Sequence, residues 1–217
     1  MPERSALPVY GNVLQISGAK NHYTVFPSVK GKFISDSTFP DTAKLGEVVR
    51  DKGGNNFSLT FNINKDSVFT VPFFTEKNET NNALLQDVVK ARLATSNAAP
   101  PAKENFQVIK SQATDSLLKI MMHRSDNFFA EQTLLMVSDQ ELGLMNDSRI
   151  IDTLLQHDYA DLPQKPSWAD GCGLSRFNLF SPRDFVMLLG KLKNELGMDR
   201  MKKILPNGGT GNVERKY

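Results

Sequence analysis

The run Phe57-Ser58-Leu59-Thr60-Phe61-Asn62-Ile63 alternates large apolar with small polar residues. Successive side chains of a strand point to opposite faces, so a period of two demands a half-buried strand. Asn64-Lys65-Asp66 then supplies turn residues ahead of Val68 to Phe74, and the spacing predicts a β-hairpin. Further strands are expected over Val9 to Ile16, Tyr23 to Phe26 and Leu45 to Arg50, where Gly, Pro, Asn and Asp mark the breaks. Pro27 and Pro40 favour edge or terminal positions for their neighbours, because proline cannot donate to a ladder. Residues 1–75 therefore read as a β-rich segment, with its aromatic residues in the strand core and Lys30 and Lys32 as solvated charges.

Beyond residue 76 the period changes. Leu84, Leu85, Val88, Val89 and Leu93 recur at helical spacing, with Thr80 or Asn81 as candidate caps. Ala94 to Lys103, with Pro100 and Pro101, reads as a surface connection, and Phe106 to Ile109 as a short strand. A helix is expected from Thr114 to Met122, its apolar side marked by Leu117, Ile120 and Met121. A second carries Phe128, Phe129, Leu134 and Leu135, and a third, started by Asp147 or Ser148, carries Ile150, Ile151, Leu154 and Leu155. Ser181-Pro182-Arg183-Asp184 is a strong helix start: a capping hydroxyl, proline at the first position and an acid in the first turn. Phe185, Leu188, Leu189 and Leu192 follow as its apolar stripe, and a short helix ends at Pro206. Asn207 to Gly211 reads as a turn; no Gly-Lys-Ser/Thr follows, so it is not a phosphate loop.

Composition removes several function classes. A net charge of +2 gives no electrostatic case for nucleic acid. No apolar run approaches the roughly 20 residues of a membrane span. Met1-Pro2-Glu3-Arg4 leads into polar sequence without the apolar core of a signal peptide, which alone reads as cytoplasmic. The single cysteine, Cys172, excludes an internal disulfide, and the three histidines share no metal-ligand spacing with it, so no metal or other cofactor is expected.

Three groups are candidates for chemistry. Ser125-Asp126-Asn127 lies between two helical patterns; by its letters it is a helix cap, yet a hydroxyl and a carboxamide there can also serve a peptide substrate. Asp170-Gly171-Cys172-Gly173-Leu174-Ser175-Arg176-Phe177-Asn178 has the glycines and polar residues of a shaped loop, with Cys172 a packed thiol rather than a reactive one. Ser17 with Lys20, and Ser116 with Lys119, satisfy Ser-x-x-Lys by letter. Gly18 is a poor opening for a helix, and Ser116 precedes Ser125 by about 900° of helical rotation, so both pairs read as accidental. Lys-Thr-Gly occurs nowhere.

Together these stretches resemble the D-alanyl-D-alanine carboxypeptidase/endopeptidase penicillin-binding proteins of low molecular mass, class C. The residues that carry the resemblance are Asp115-Ser116-Leu117-Leu118-Lys119 leading into Ser125-Asp126-Asn127-Phe128-Phe129-Ala130-Glu131, then Asp170-Gly171-x-Gly173-Leu174-Ser175-Arg176-x-Asn178-Leu179 with Ser181-Pro182, then Leu205-Pro206. It covers residues 80–217 well and 1–75 more loosely. The fold it implies is α+β: the mostly helical portion of a penicillin-binding-protein/serine β-lactamase-like transpeptidase domain over 76–217, preceded over 1–75 by part of an inserted β-rich domain.

The activity it implies is hydrolysis of the terminal D-Ala-D-Ala bond, or of cross-links, in peptidoglycan through an acyl-enzyme. Its implied partners are peptidoglycan stem peptides and β-lactam antibiotics, and its implied location the periplasm or cell envelope. By the same resemblance Ser125 relays a proton, Asn127 holds substrate, and Asp126 has a local role with a lesser claim on substrate. The family's nucleophilic Ser-x-x-Lys stands before the insertion and its Lys-Thr-Gly after the Leu205–Tyr217 region, so the chain as given is expected to be inactive, with exposed apolar surface. A non-catalytic peptidoglycan- or partner-binding module is the rival reading; a serine β-lactamase fits less well, because of the β-rich lead-in.

Overall fold

A computed structural model describes residues 3–19, 22–39, 46–62, 66–75, 79–94, 96 and 111–207. Its contacts divide the chain into two units, Met1–Pro100 and Pro101–Tyr217, whereas the sequence pattern changes near residue 75.

In the first unit the described strands are β1 (Val13–Ala19), β2 (His22–Phe26), β3 (Lys32–Phe39), β4 (Gly46–Arg50), β5 (Asn56–Asn62) and β6 (Ser67–Pro72). They form two three-stranded sheets, ordered β2-β1-β6 and β3-β5-β4. The expected alternation is present: Phe57, Leu59 and Phe61 are 0–1% exposed, while Ser58 faces solvent. The expected hairpin is not. β5 pairs with β3 in parallel and with β4 antiparallel, while β6 pairs with β1. Each of the two strands turns its apolar side toward the other sheet, and the Phe61 and Phe69 rings meet at 6.1 Å. Strands that bury matching faces against each other stack as sheets instead of joining edges. Leu14, Ile16 and Phe73 complete this core.

β3 had no strand signal in the sequence. Its alternation is interrupted by a register shift between Ser35 and Ser37, the mark of a bulge.

Helix α1 (Glu79–Val89) belongs to this first unit. It starts before Thr80 and Asn81, so neither caps it. Instead Asn81, 1% exposed, donates from Nδ2 to Leu7 O at 2.6 Å and Asn12 Oδ1 at 3.1 Å. Asn12 Nδ2 donates in turn to Glu3 O at 2.7 Å and Ser5 Oγ at 2.9 Å. Of the expected apolar stripe only Leu84 is fully buried; Val88 and Val89 are about half exposed.

The second unit contains α2 (Thr114–Arg124), α3 (Asn127–Leu142), α4 (Asp147–Gln156), α5 (Pro182–Leu196) and α6 (Met198–Ile204). α3 and α4 pack through Leu134, Ile150 and Ile151, with Trp168 against them. The connection between them is locked by buried Ser138, whose hydroxyl reaches Leu144 O at 2.7 Å and accepts from Asn146 N at 3.0 Å. Asn146, one residue earlier than expected, caps α4 by accepting from Arg149 N at 2.9 Å. α5 begins as expected: Ser181 Oγ accepts from Asp184 N, and Asp184 Oδ2 accepts from Ser181 N at 2.8 Å. Its apolar stripe, however, is open, with Phe185 56% and Leu189 49% exposed. The expected strand at Phe106 to Ile109 and most of the expected turn at Asn207 to Gly211 lie outside the described residues.

Asn81 ties α1 to the amino-terminal segment through its buried bond to Asn12, so truncating it strands that partner. Asn81→Ala is expected to lower the opening free energy of β1 amides in hydrogen exchange by about 1–3 kcal/mol. Val68→Ala, at an exposed position, should change it by less than about 0.5 kcal/mol.

Candidate active site

Helix α2 ends because Ser125 adopts the left-handed conformation, φ 54° and ψ 51°, which stops helical propagation. The Asp126 N–H closes the turn on Met121 O at 2.9 Å. Asp126 then returns to extended backbone and caps α3, its Oδ1 accepting from Phe129 N at 3.0 Å. The helix break thus uses the middle residue of the triplet as its cap. Ser125 is exposed and Asn127 is half-buried at the first position of α3. Among the described residues no hydrogen bond is made by the Ser125 hydroxyl or the Asn127 carboxamide.

One turn further along α3, Glu131 is 2% exposed and its Oε1 accepts from Cys172 N at 3.2 Å. This bond docks the Asp170 loop on α3. The approach is close: a Cβ on Gly171 would lie 3.0 Å from Ala130 O, so the path fits only glycine without displacement.

The loop is organised around one carboxylate. Asp170 Oδ1 accepts from Gly173 N and from Asn178 Nδ2, both at 2.7 Å, and Oδ2 accepts from Ser175 N at 2.6 Å. Trp168 Nε1 donates to Asp170 O at 2.7 Å, and Asn178 Oδ1 accepts from Ala169 N at 2.8 Å. Ser167 and Leu179 close the base as an antiparallel bridge. Burial opposes ionisation of Asp170, but the donors from Asn178, Ser175 and Gly173 prevail and hold its carboxyl below the usual range. Asp184 behaves alike: burial raises it, while the Ser181 bonds and Gln164 N lower it further.

Cys172 is the opposite case. Burial, then its bond to Glu131, push the thiol up to about 11, so it is not a nucleophile near neutral pH. Ligand atoms of Glu131, Asp170 and Cys172 lie within 4.8 Å of one another, the geometry of a possible ion site. Both Asp170 oxygens are already engaged and the thiol is held protonated, which disfavours a cation there.

Ser116 and Lys119 sit exposed on α2, without the enclosure a serine–lysine pair needs. Ser17 lies in β1, where no helical turn sets a lysine beside it, and Lys20 is outside the described residues. The sequence assigned His123 no role; its Nε2 is buried with no hydrogen-bond partner among the described residues, a feature only side-chain packing reveals. The cavities of about 260 and 300 Å³ in this unit line α4 and its flanks, and neither includes Ser125 or Asn127.

Comparison with known proteins adds the family. The profile of the D-Ala-D-Ala carboxypeptidase 3 (S13) family matches residues 17–216. Among solved structures, penicillin-binding protein 4 from Haemophilus influenzae aligns over 98% of this chain and 52% of its own, with a TM-score of 0.65 at 16% identity. The same Haemophilus influenzae protein complexed with a novel β-lactam aligns over 97% of this chain and 54% of its own, with a TM-score of 0.64 at 15% identity. This chain therefore spans about half the length of the structures it matches, and the likeness shows a shared α+β fold. No curated protein sequence matches significantly.

Two measurements test the geometry. Asp126→Ala should destabilise the second unit by about 1 kcal/mol in urea, whereas Ser125→Ala should stay within about 0.5 kcal/mol; Trp168 fluorescence reports this unit alone. Lowered carboxyl pKa values stabilise above the unfolded value of about 3.9, and that contribution is lost as pH falls through the folded value. The urea midpoint should fall between pH 7 and about pH 2.5, and Asp170→Asn or Asp184→Asn should narrow the difference by weakening the neutral-pH fold.

Proposed function

The chain belongs to the D-Ala-D-Ala carboxypeptidase 3 (S13) family, and from that premise we propose that it supplies the Ser125–Asn127 edge of a serine acyl-transfer site. The reaction is hydrolysis of the terminal D-Ala-D-Ala bond, or of a peptide cross-link, in peptidoglycan of the cell envelope. The observation that carries this reading is the division of labour in the triplet. Asp126 makes the cap, and the flanking hydroxyl and carboxamide are left available for a substrate.

In the mechanism, a serine activated by the lysine of Ser-x-x-Lys attacks the carbonyl carbon and its proton leaves to the base. The C–N bond then breaks, and the Ser125 hydroxyl hands a proton to the departing amine while accepting one from the base side. The Asn127 carboxamide donates to a substrate carbonyl and accepts from a substrate N–H, fixing the peptide against the nucleophile. Water attacks the resulting ester and releases the acid. A β-lactam enters the same first step and stays at the ester. On this proposal the nucleophile and the Lys-Thr-Gly strand are supplied from outside these 217 residues. Among the described residues no helix is long and apolar enough to cross a membrane.

Reading the coding sequence on either side is the first test: the proposal expects an in-frame Ser-x-x-Lys upstream and Lys-Thr-Gly downstream. In that longer polypeptide, Ser125→Ala and Asn127→Ala should each slow acylation by a fluorescent penicillin by about 10²-fold at unchanged urea midpoint. Unaltered acylation would remove both residues from the site. The 217-residue chain alone should remain unlabelled, and a covalent adduct on Ser17, Ser116 or Ser125 would contradict the proposal.

A further inference from the structure

The first unit contains an open cleft of about 1010 Å³ that the acyl-transfer reading does not use. Its walls are the segment around Val29 and Lys30, the turn at Gly53–Asn55, and one face of α1. The Asn55 side chain ties the turn to α1 and to the segment that follows β6. Asn55 Nδ2 donates to Thr80 Oγ1 at 2.9 Å on α1, and its Oδ1 accepts from Phe74 N at 2.7 Å. The first segment is pressed against the same residue, since a Cβ on Gly31 would fall 2.0 Å from Asn55 O. Beyond the helix, Gln86 Oε1 accepts from Leu93 N at 3.2 Å and folds the following segment back toward the cleft. Two of the three walls are thus joined by specific bonds, and the third packs closely on the Asn55 backbone.

Val29, Leu84 and Phe74 contribute apolar surface, and Gly53 and Gly54 present backbone with no atom within 4 Å of a would-be Cβ. Charge is divided. Lys30 stands on one wall, while Glu79 and Asp87 stand on α1, and none of the three has an ion-pair partner among the described residues. Arg50, nearby over the Phe74 ring, is already paired with Glu3.

We propose that this cleft binds a short extended peptide carrying a free amine and a free carboxylate, the amine at Glu79 or Asp87 and the carboxylate at Lys30. Glu79 and Asp87 are eight residues apart, about 12 Å along the helix, so they do not share one metal ion. A neutral glycan would cover three charges without compensating any of them, which is unfavourable. A polyanion such as nucleic acid would meet two carboxylates against one lysine. An extended peptide matches both signs and lays small side chains on the apolar surface. All of these groups lie within residues 28–93, so the proposal stands apart from the catalytic one.

The test is a titration of the ¹⁵N-labelled full chain with tetra-alanine, whose charged ends stand about 13–14 Å apart when extended. The expected result is saturable movement of the Gly53, Gly54 and Phe74 amide resonances in the millimolar range, weakened about tenfold by acetylating the amine or amidating the carboxylate. Lys30→Gln should abolish sensitivity to amidation but not to acetylation, and Glu79→Gln with Asp87→Asn the reverse. Ala83→Trp, which fills the cleft, should remove binding while the remaining spectrum stays folded. No movement up to about 10 mM, equal binding of blocked and unblocked peptide, or stronger movement with an N-acetylglucosamine tetramer would each overturn it.

Discussion

A helix break needs two things at once: a residue that ends the first helix and a group that satisfies the free N–H donors of the second. Here Ser125 does the first with its backbone and Asp126 does the second with its side chain. Because the terminating task falls on φ and ψ rather than on Oγ, the Ser125 hydroxyl is not consumed. Because the cap is Asp126, the Asn127 amide is not consumed either. Two polar groups are thus placed two residues apart on a rigid corner, both outside the bonding that holds the corner together. Had Ser125 or Asn127 been the cap, the same three letters would describe a structural turn with nothing left over for a ligand.

The corner is also anchored from the far side of α3. Glu131 receives Cys172 N, and Gly171 lies against Ala130, so the Asp170 loop rests on the first turns of the helix that the triplet starts. That loop is held by one carboxylate under donors from Gly173, Ser175 and Asn178. Desolvation works against a charged Asp170, and its lowered pKa shows that these donors outweigh the cost. A charged hub of this kind is stiff, because movement of any donor leaves a carboxylate oxygen poorly satisfied. The orientation of the triplet therefore depends on a loop that begins 43 residues after Asn127 in the chain.

Much of the fold follows from patterns visible in the sequence, and the misses have particular causes. Phe57, Leu59 and Phe61 are buried as their alternation requires, and Ser181 with Asp184 forms the reciprocal cap that its spacing requires. Alternation fixes which face of a strand is buried but not which strand lies beside it, so β5 and β6, adjacent in sequence, ended in different sheets. A bulge concealed β3, since one inserted residue reverses the parity of the pattern. Asn146 replaced its neighbours as cap because Ser138 holds its backbone in place, a contact spanning eight residues that no local rule contains. The stripe on α5 was legible as a stripe, yet periodicity says nothing of what covers it, and Phe185 and Leu189 lie open. At the candidate site the letters Ser-Asp-Asn were readable. Which of them caps was decided by the dihedral angles of Ser125.

An exposed serine hydroxyl without a partner is unremarkable, since water satisfies it at no cost. Asn127 is the more informative residue. It is half-buried at the head of α3, and neither of its amide atoms is both buried and unpaired. A carboxamide in that state keeps its donor and acceptor available to a ligand. At 15–16% identity the likeness to solved penicillin-binding structures carries the fold but not the chemistry of individual residues. The role proposed for Asn127 therefore rests on the family match, which supplies the reaction in which such an amide has a use, and on the cap being made by Asp126 instead.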